Sequence, residues 1–200
     1  MSDLKGKFLD CFIKIASVKG INQTSISDAS KEIYNDSNGY IIEFYNGLSD
    51  ILIAIEERYD SLLFNKKSEI DNIKSITEKI KFLLTLRIKK DGLDYKFRKI
   101  LMNFYKTLDG VDLFIKTSWS SSDIIWSLAG DHSLDFNYYS KRIILLYVYT
   151  DSKKYYSSID DEDFSKTLKN IEKNLERVKI FNKLKTSLKA ENIPFIRLFK

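Results

Sequence analysis

A single proline, Pro194, and seven glycines in 200 residues leave this chain with few means of punctuating a sheet. Strands are short, and each needs a turn built from Gly, Pro, Asn or Asp at its end. Apolar residues recur instead at three- and four-residue spacing over long stretches, which is the pattern of helices with one buried stripe. The spacing therefore predicts an all-α fold. With 44% hydrophobic and 14% aromatic residues, the chain can bury a sizeable core.

Phe8 to Val18 reads as a first helix with Phe8, Phe12, Ile15 and Ala16 on one side. A second starts at Thr24, capped by Thr24 or Ser25, and turns Ile26, Ala29 and Ile33 inward before the turn signals Asn35 to Gly39. A short third helix carries Tyr40, Ile41, Phe44 and Tyr45, and a long helix runs from Ser49 to Phe64. This predicts a helix-turn-helix-like three-helix unit over residues 1–47, a larger helical domain over 48–190, and an apolar, basic tail over 191–200.

Within the larger domain, helices are expected at Ile73–Ile88 and Tyr95–Leu108, the first with the stripe Ile73, Ile76, Ile80, Leu83, Leu84. The triplet Ser120-Ser121-Ser122 reads as a break, with Asp123 leading into a new helix through Trp126. Ile143 to Tyr149 is apolar on nearly all sides and is expected to be surrounded; alone, it also fits a buried strand. The last helix runs from Thr167 to about Lys189, and its second half is basic and amphipathic.

A helix-turn-helix layout with net charge +5 admits a Tet-repressor-type DNA-binding regulator. Reading a major groove, however, takes Arg, Lys, Asn or Gln on the recognition helix and cations on phosphates. From Asp36 to Phe44 there is no Lys or Arg, while Asp36 and Glu43 would face the phosphates. Nucleic-acid binding is not expected, and the layout reads as a structural inheritance.

Catalysis has little to rest on. His132 is the one histidine and Cys11 the one cysteine, with no nucleophile-base pair between them. There is no phosphate-binding glycine loop and no Glu-x-x-His repeat for a di-iron site. A non-catalytic chain without cofactor is the expectation. The lone Cys11 and the absence of a signal-peptide pattern suggest the cytoplasm. No apolar run approaches the ~20 residues that a bilayer needs, so any membrane contact is expected to be peripheral. Lys185, Lys189, Phe195, Ile196, Arg197 and Phe199 suit anionic headgroups and the outer acyl region, or else a tail folded back on its own core or on a second copy.

The stretch after Trp126 is the most specific. Gly130 and Asp131 end one segment and Ser133 can cap the next helix, which starts near Leu134. Asp135, Tyr138 and Arg142 share one face of it, and Phe136, Tyr139, Ile143 and Tyr147 another. The pattern Trp126-x-x-Ala129-Gly130-Asp131-x-Ser133-x-Asp135-Phe136-Asn137-x-Tyr139-x-x-Arg142 resembles the signature of the coenzyme Q nine family, lipid-binding accessory proteins of ubiquinone biosynthesis. The similarity continues through Tyr149-Thr150, the Asp160 to Phe164 turn and the helix from Thr167, and is traceable back to about Phe8.

The resemblance implies a Tet-repressor-like helical fold that binds isoprenoid quinone intermediates or phospholipid in place of regulating transcription. It implies assistance to a di-iron demethoxyubiquinone hydroxylase. Work on a membrane lipid would place the chain at the inner face of a bacterial inner membrane, and a homodimer through the last helices is expected. Asp135, Tyr138 and Tyr139 would form the partner patch, with Tyr138 standing where tryptophan is common in the family. Large side chains including Phe104, Phe114, Trp119, Trp126, Ile143 and Tyr147 would line a tunnel for the lipid tail. A dry packed core would look the same in sequence, and a helical adaptor without lipid stays open beside this reading.

Overall fold

The computed structural model describes residues 3–89, 94–162 and 164–187, with backbone alone at 135, 136 and 180–187. The membrane-contact residues Lys189, Phe195, Ile196, Arg197 and Phe199, and the side chains of Lys185 and Asp135, lie outside the described residues. The fold is all-α and consistent with a Tet-repressor-like arrangement: α1 (Asp3–Lys19), α2 (Gln23–Tyr34), α3 (Leu48–Phe64), α4 (Lys67–Asp71), α5 (Ile76–Lys89), α6 (Tyr95–Phe104), α7 (Leu108–Leu128), α8 (Asp135–Ser158) and α9 (Ser165–Ser187).

α1 buries Phe8, Leu9, Phe12 and Ala16 along one face. The cap of α2 is Asn22 rather than Thr24 or Ser25; its side chain accepts from the Ser25 backbone N–H at 2.9 Å. Ser25 is buried, and its hydroxyl donates to the Gly20 carbonyl. The expected third helix contracts to a single 3-10 turn over Gly39–Ile42. Too few residues separate its flanking turns for an α-helix to propagate, and the turn is pinned tightly to α2. Buried Ser30 donates to the Asp36 carbonyl and accepts from the Tyr40 N–H, and a Cβ at Gly39 would sit 2.5 Å from Tyr34 Cβ. Phe44 is buried, whereas Ile42 and Tyr45 are largely exposed.

The serine triplet does not break the chain. α7 is continuous through it, with Ser118, Ser121 and Ser122 buried. Ser122 donates back to the Ser118 carbonyl, and Ser121, whose hydroxyl reaches Asp60, sits where α7 packs against α3. Tyr95–Leu108 is two elements instead, because α7 crosses the end of α6 closely: a Cβ at Gly110 would meet the Phe104 carbonyl oxygen at 2.1 Å. Thr107 caps α7 by accepting from the Gly110 N–H.

Two apolar cores result. One gathers α1, α2, the 3-10 turn, most of α3, α6 and the start of α7. The other gathers the end of α3 with α4, α5, the second half of α7, α8 and α9. The helix-turn-helix-like unit thus shares its core with Phe97, Leu101 and Phe114 of later helices. α8 corrects a further expectation, for its apolar run is not surrounded. Leu145, Val148 and Tyr149 are buried, while Ile143 is 57% and Tyr147 51% exposed.

A buried polar network absent from the sequence reading joins the two cores. Arg87, wholly buried, donates from Nε to Asp60 and from Nη2 to Glu56, each at 2.7 Å. Lys153 and the Tyr105 hydroxyl also reach Glu56, and Ser121 donates to Asp60. Burial pushes the Glu56 carboxyl up, but the charges of Lys153 and Arg87 outweigh it and hold it down to about 2.

Candidate functional site at the α7–α8 corner

α7 ends on Ala129, and Gly130 turns the chain with φ 89°, in the left-handed region that glycine enters without strain. The Asp131 N–H then returns to the Trp126 carbonyl at 3.0 Å, which leaves the Asp131 carboxylate facing α8. It accepts from the Ser133 hydroxyl at 2.6 Å, Lys141 Nζ at 2.6 Å and Arg142 Nη1 at 3.2 Å. Burial alone would raise the Asp131 carboxyl, but the bonds from Lys141, Ser133 and Arg142 hold it well below the usual carboxylate range. Ser133 is therefore not the helix cap expected of it. Its hydroxyl is bound to Asp131, and Leu134 stands at the cap position with no side-chain bond.

Arg142 completes a clasp between the helices. Its Nε donates to Asp123 on α7, and its guanidinium lies over the Tyr138 ring, 3.4 Å from the centroid. The Tyr138 hydroxyl donates to the same Asp123 oxygen at 2.9 Å, and this bond raises the Tyr138 phenol above its ordinary value. Trp126 ties in through Nε1, which donates to the Lys141 carbonyl at 3.0 Å, with Lys141 Nζ 5.4 Å from its ring. Trp126, Asp131, Ser133 and Arg142, spaced along the signature stretch, thus meet in one structure.

Below the clasp lies an apolar cavity of about 240 Å³. It is walled by Ile80 of α5, Trp126 of α7, Ile144, Leu145 and Val148 of α8, and Leu175 and Val178 of α9. Thr77, Lys141 and Lys179 supply its few polar groups. Ile144 and Val178 also wall an adjoining surface trough with Ile143, Tyr147 and Arg177. Together the two spaces form an apolar path along the α8–α9 seam, open at the surface.

The six side chains expected around a lipid tail separate. Trp126 walls the cavity, and Ile143 and Tyr147 line the trough. Phe114 is buried in the N-terminal core against Tyr105, their ring centroids 5.0 Å apart, and Phe104 packs at the edge of that core. Trp119 is half-buried on α7. Leu145, Val148, Leu175 and Val178 also wall the cavity and are not among the expected lining residues, although the helical period of α9 carries the last two in one stripe. Of the expected partner patch, Tyr139 is 57% exposed, and Tyr138 is half-buried within the clasp.

His132 is exposed, and burial, with a bond to Glu32, pushes the Cys11 thiol up to about 11, so it is no ready nucleophile. Among the described residues no three His, Cys, Asp or Glu side chains are grouped to hold a metal. What the corner offers is an apolar space beside a rigid polar clasp. A family model described as COQ9 matches residues 111–182, from the first turn of α7 through most of α9, and so contains the clasp and all of the cavity wall except Thr77 and Ile80. No curated protein matches the chain.

Proposed function

We propose that this chain, which matches the COQ9 family model over residues 111–182, is a non-catalytic accessory protein that binds an isoprenoid quinone intermediate or other lipid and presents it to a di-iron hydroxylase at the membrane. That match supports a part in ubiquinone biosynthesis. The observation that carries the lipid reading is the apolar path along α8 and α9, with Trp126 at its inner end and Ile143 and Tyr147 at its open side. The cavity is smaller than the ~300–1,000 Å³ of a pocket that encloses a drug-sized ligand, so it suits one segment of a tail whose remainder runs out along the trough. Burial at roughly 25 cal/mol per Å² supplies affinity without special side-chain chemistry.

Tyr139, exposed beside the clasp, is the residue best placed to meet the hydroxylase. Exposed Ile143 and Tyr147 favour association of two copies through the last helices. Membrane contact is peripheral in this reading, at the inner face of a bacterial inner membrane; no helix among the described residues is long and apolar enough to cross one. A DNA-reading role is disfavoured, because a four-residue 3-10 turn without Lys or Arg stands where a recognition helix would be needed.

Mass spectrometry of an organic extract from gently purified protein, set against an equally treated control from the same cells, tests this reading. Enriched isoprenoid quinone supports it. A clean extract from protein that still captures the hydroxylase would replace it with a helical adaptor that carries no lipid.

A further inference from the structure

We propose that a second cleft, open at the surface and bordered by α6, α8 and α9, binds a phosphate or diphosphate group. The cleft has a volume of about 510 Å³ and shares no lining residue with the apolar cavity. Three cations border it from different elements: Lys99 on α6, Lys106 in the turn after α6, and Lys154 on α8. None of the three is in an ion pair among the described residues, whereas Lys141 and Lys153 elsewhere on α8 each hold a carboxylate. Lys106 reaches only the neutral Asn103 amide, at 3.4 Å, and Lys99 lies 5.9 Å from the Tyr95 ring centroid.

One carboxylate lines the cleft, and it is engaged elsewhere. Asp151 Oδ2 accepts from Asn174 Nδ2 of α9 at 2.7 Å. The C-terminal ends of α6 and α8 also border the space, and each contributes about half a negative charge. Set against three lysines and one carboxylate, they leave the cleft about one charge positive. The uncharged lining is rich in donors, with the hydroxyl of buried Ser157 and the amide of Asn170 among them. A phosphate carries −1.5 to −2 charge and three strong acceptor oxygens at neutral pH, which three ammonium groups and neutral donors satisfy together. A single carboxylate would leave part of that donor set unused.

The group can come from a soluble diphosphate or from a lipid headgroup, and two probes separate these sources. Inorganic pyrophosphate is titrated calorimetrically into the full chain. Flotation is then measured with phosphatidylcholine vesicles with and without phosphatidic acid. The cleft variant Lys99→Gln/Lys106→Gln/Lys154→Gln is compared with Lys14→Gln/Lys31→Gln/Lys74→Gln, which removes the same charge from exposed positions elsewhere.

Saturable pyrophosphate binding that weakens by at least about tenfold in the cleft variant and little in the control supports the site. Binding only to phosphatidic acid vesicles, with the same dependence on the cleft lysines, supports it with a lipid headgroup as source. Absence of both, or equal losses in the two variants, overturns it. Lys154→Gln alone repeats the test if the triple variant melts early. Because the cleft variant leaves the apolar cavity untouched, the isoprenoid quinone content of the purified protein should not change, so this site and the quinone reading stand or fall separately.

Discussion

Arg142 lies over the ring of Tyr138, its guanidinium carbon 3.4 Å from the centroid, and both side chains bind Asp123 of the preceding helix. The aromatic residue that the family resemblance offers to a partner is thereby part of the joint holding α7 to α8. Arg142 also reaches Asp131, and both of these side chains are 4% exposed, so the joint is closed to water on its inner side and open at Asp123, which is 42% exposed.

This separates a structural residue from an exposed one. Arg142→Met should destabilise the fold by about 2–3 kcal/mol, less than a wholly buried pair costs because Asp123 remains hydrated. For a chain of this size that lowers the melting temperature by roughly 5–10 °C. Tyr138→Lys should also melt early, since it removes the ring from under the guanidinium and sets a second cation beside it. Tyr139→Lys should leave the melting temperature unchanged and abolish capture of the hydroxylase. Unchanged capture by Tyr139→Lys would remove that residue from the interface.

What could be read in the sequence divides along the range of the interactions. The stripes of α1 and α9 and the corner at Gly130 are legible because helical period and turn chemistry act between neighbours. Ser120-Ser121-Ser122 misleads for the same reason: locally it resembles a break, and only the closeness of α3, whose Asp60 takes the Ser121 hydroxyl, makes a small buried side chain at 121 the fitting choice. Glu56 and Asp60 stand 31 and 27 residues from the Arg87 that neutralises them, and no spacing rule links them. Phe104 and Trp126 are alike in composition, and the turn between α6 and α7 sends them to different places.

The Glu56 network makes stability depend on acid. Its folded carboxyl is held below the ordinary 4.5, at about 2. Folding therefore favours the deprotonated form: the stabilisation is fully present above pH 4.5 and is lost as pH falls toward 2. Glu56→Gln, which leaves Arg87 and Lys153 short of a buried negative charge, should cost about 3 kcal/mol at neutral pH. Urea midpoints of the parent and Glu56→Gln should differ widely at pH 6 and converge as pH approaches 2. Parallel curves across that range would show that the carboxyl is not held low.

Ser121 tests the close passage of α7 over α3. Its hydroxyl donates to Asp60 at 3.0 Å, and Arg87 lies 3.4 Å away. Ser121→Ala removes a bond to a charged group and should cost about 1.5–3 kcal/mol. Ser121→Leu must also force the helices apart, adding about 1–3 kcal/mol of overpacking. An alanine variant as stable as the parent would show that Asp60 is satisfied without this bond.

Ile144 decides whether the path along α8 and α9 is where lipid sits, since it walls both the cavity and the trough. It is half-buried, so Ile144→Trp extends into empty space rather than into packed neighbours. A ring that fills a cavity adds apolar contact instead of strain, and the melting temperature should hold or rise slightly. The same ring occupies the space a tail would need, so quinone or phospholipid recovered in an organic extract should fall severalfold per mole of protein. A stable variant with undiminished lipid would place the ligand elsewhere on the molecule, and a variant that loses both lipid and stability is resolved by Val178→Phe, which narrows the same space from α9.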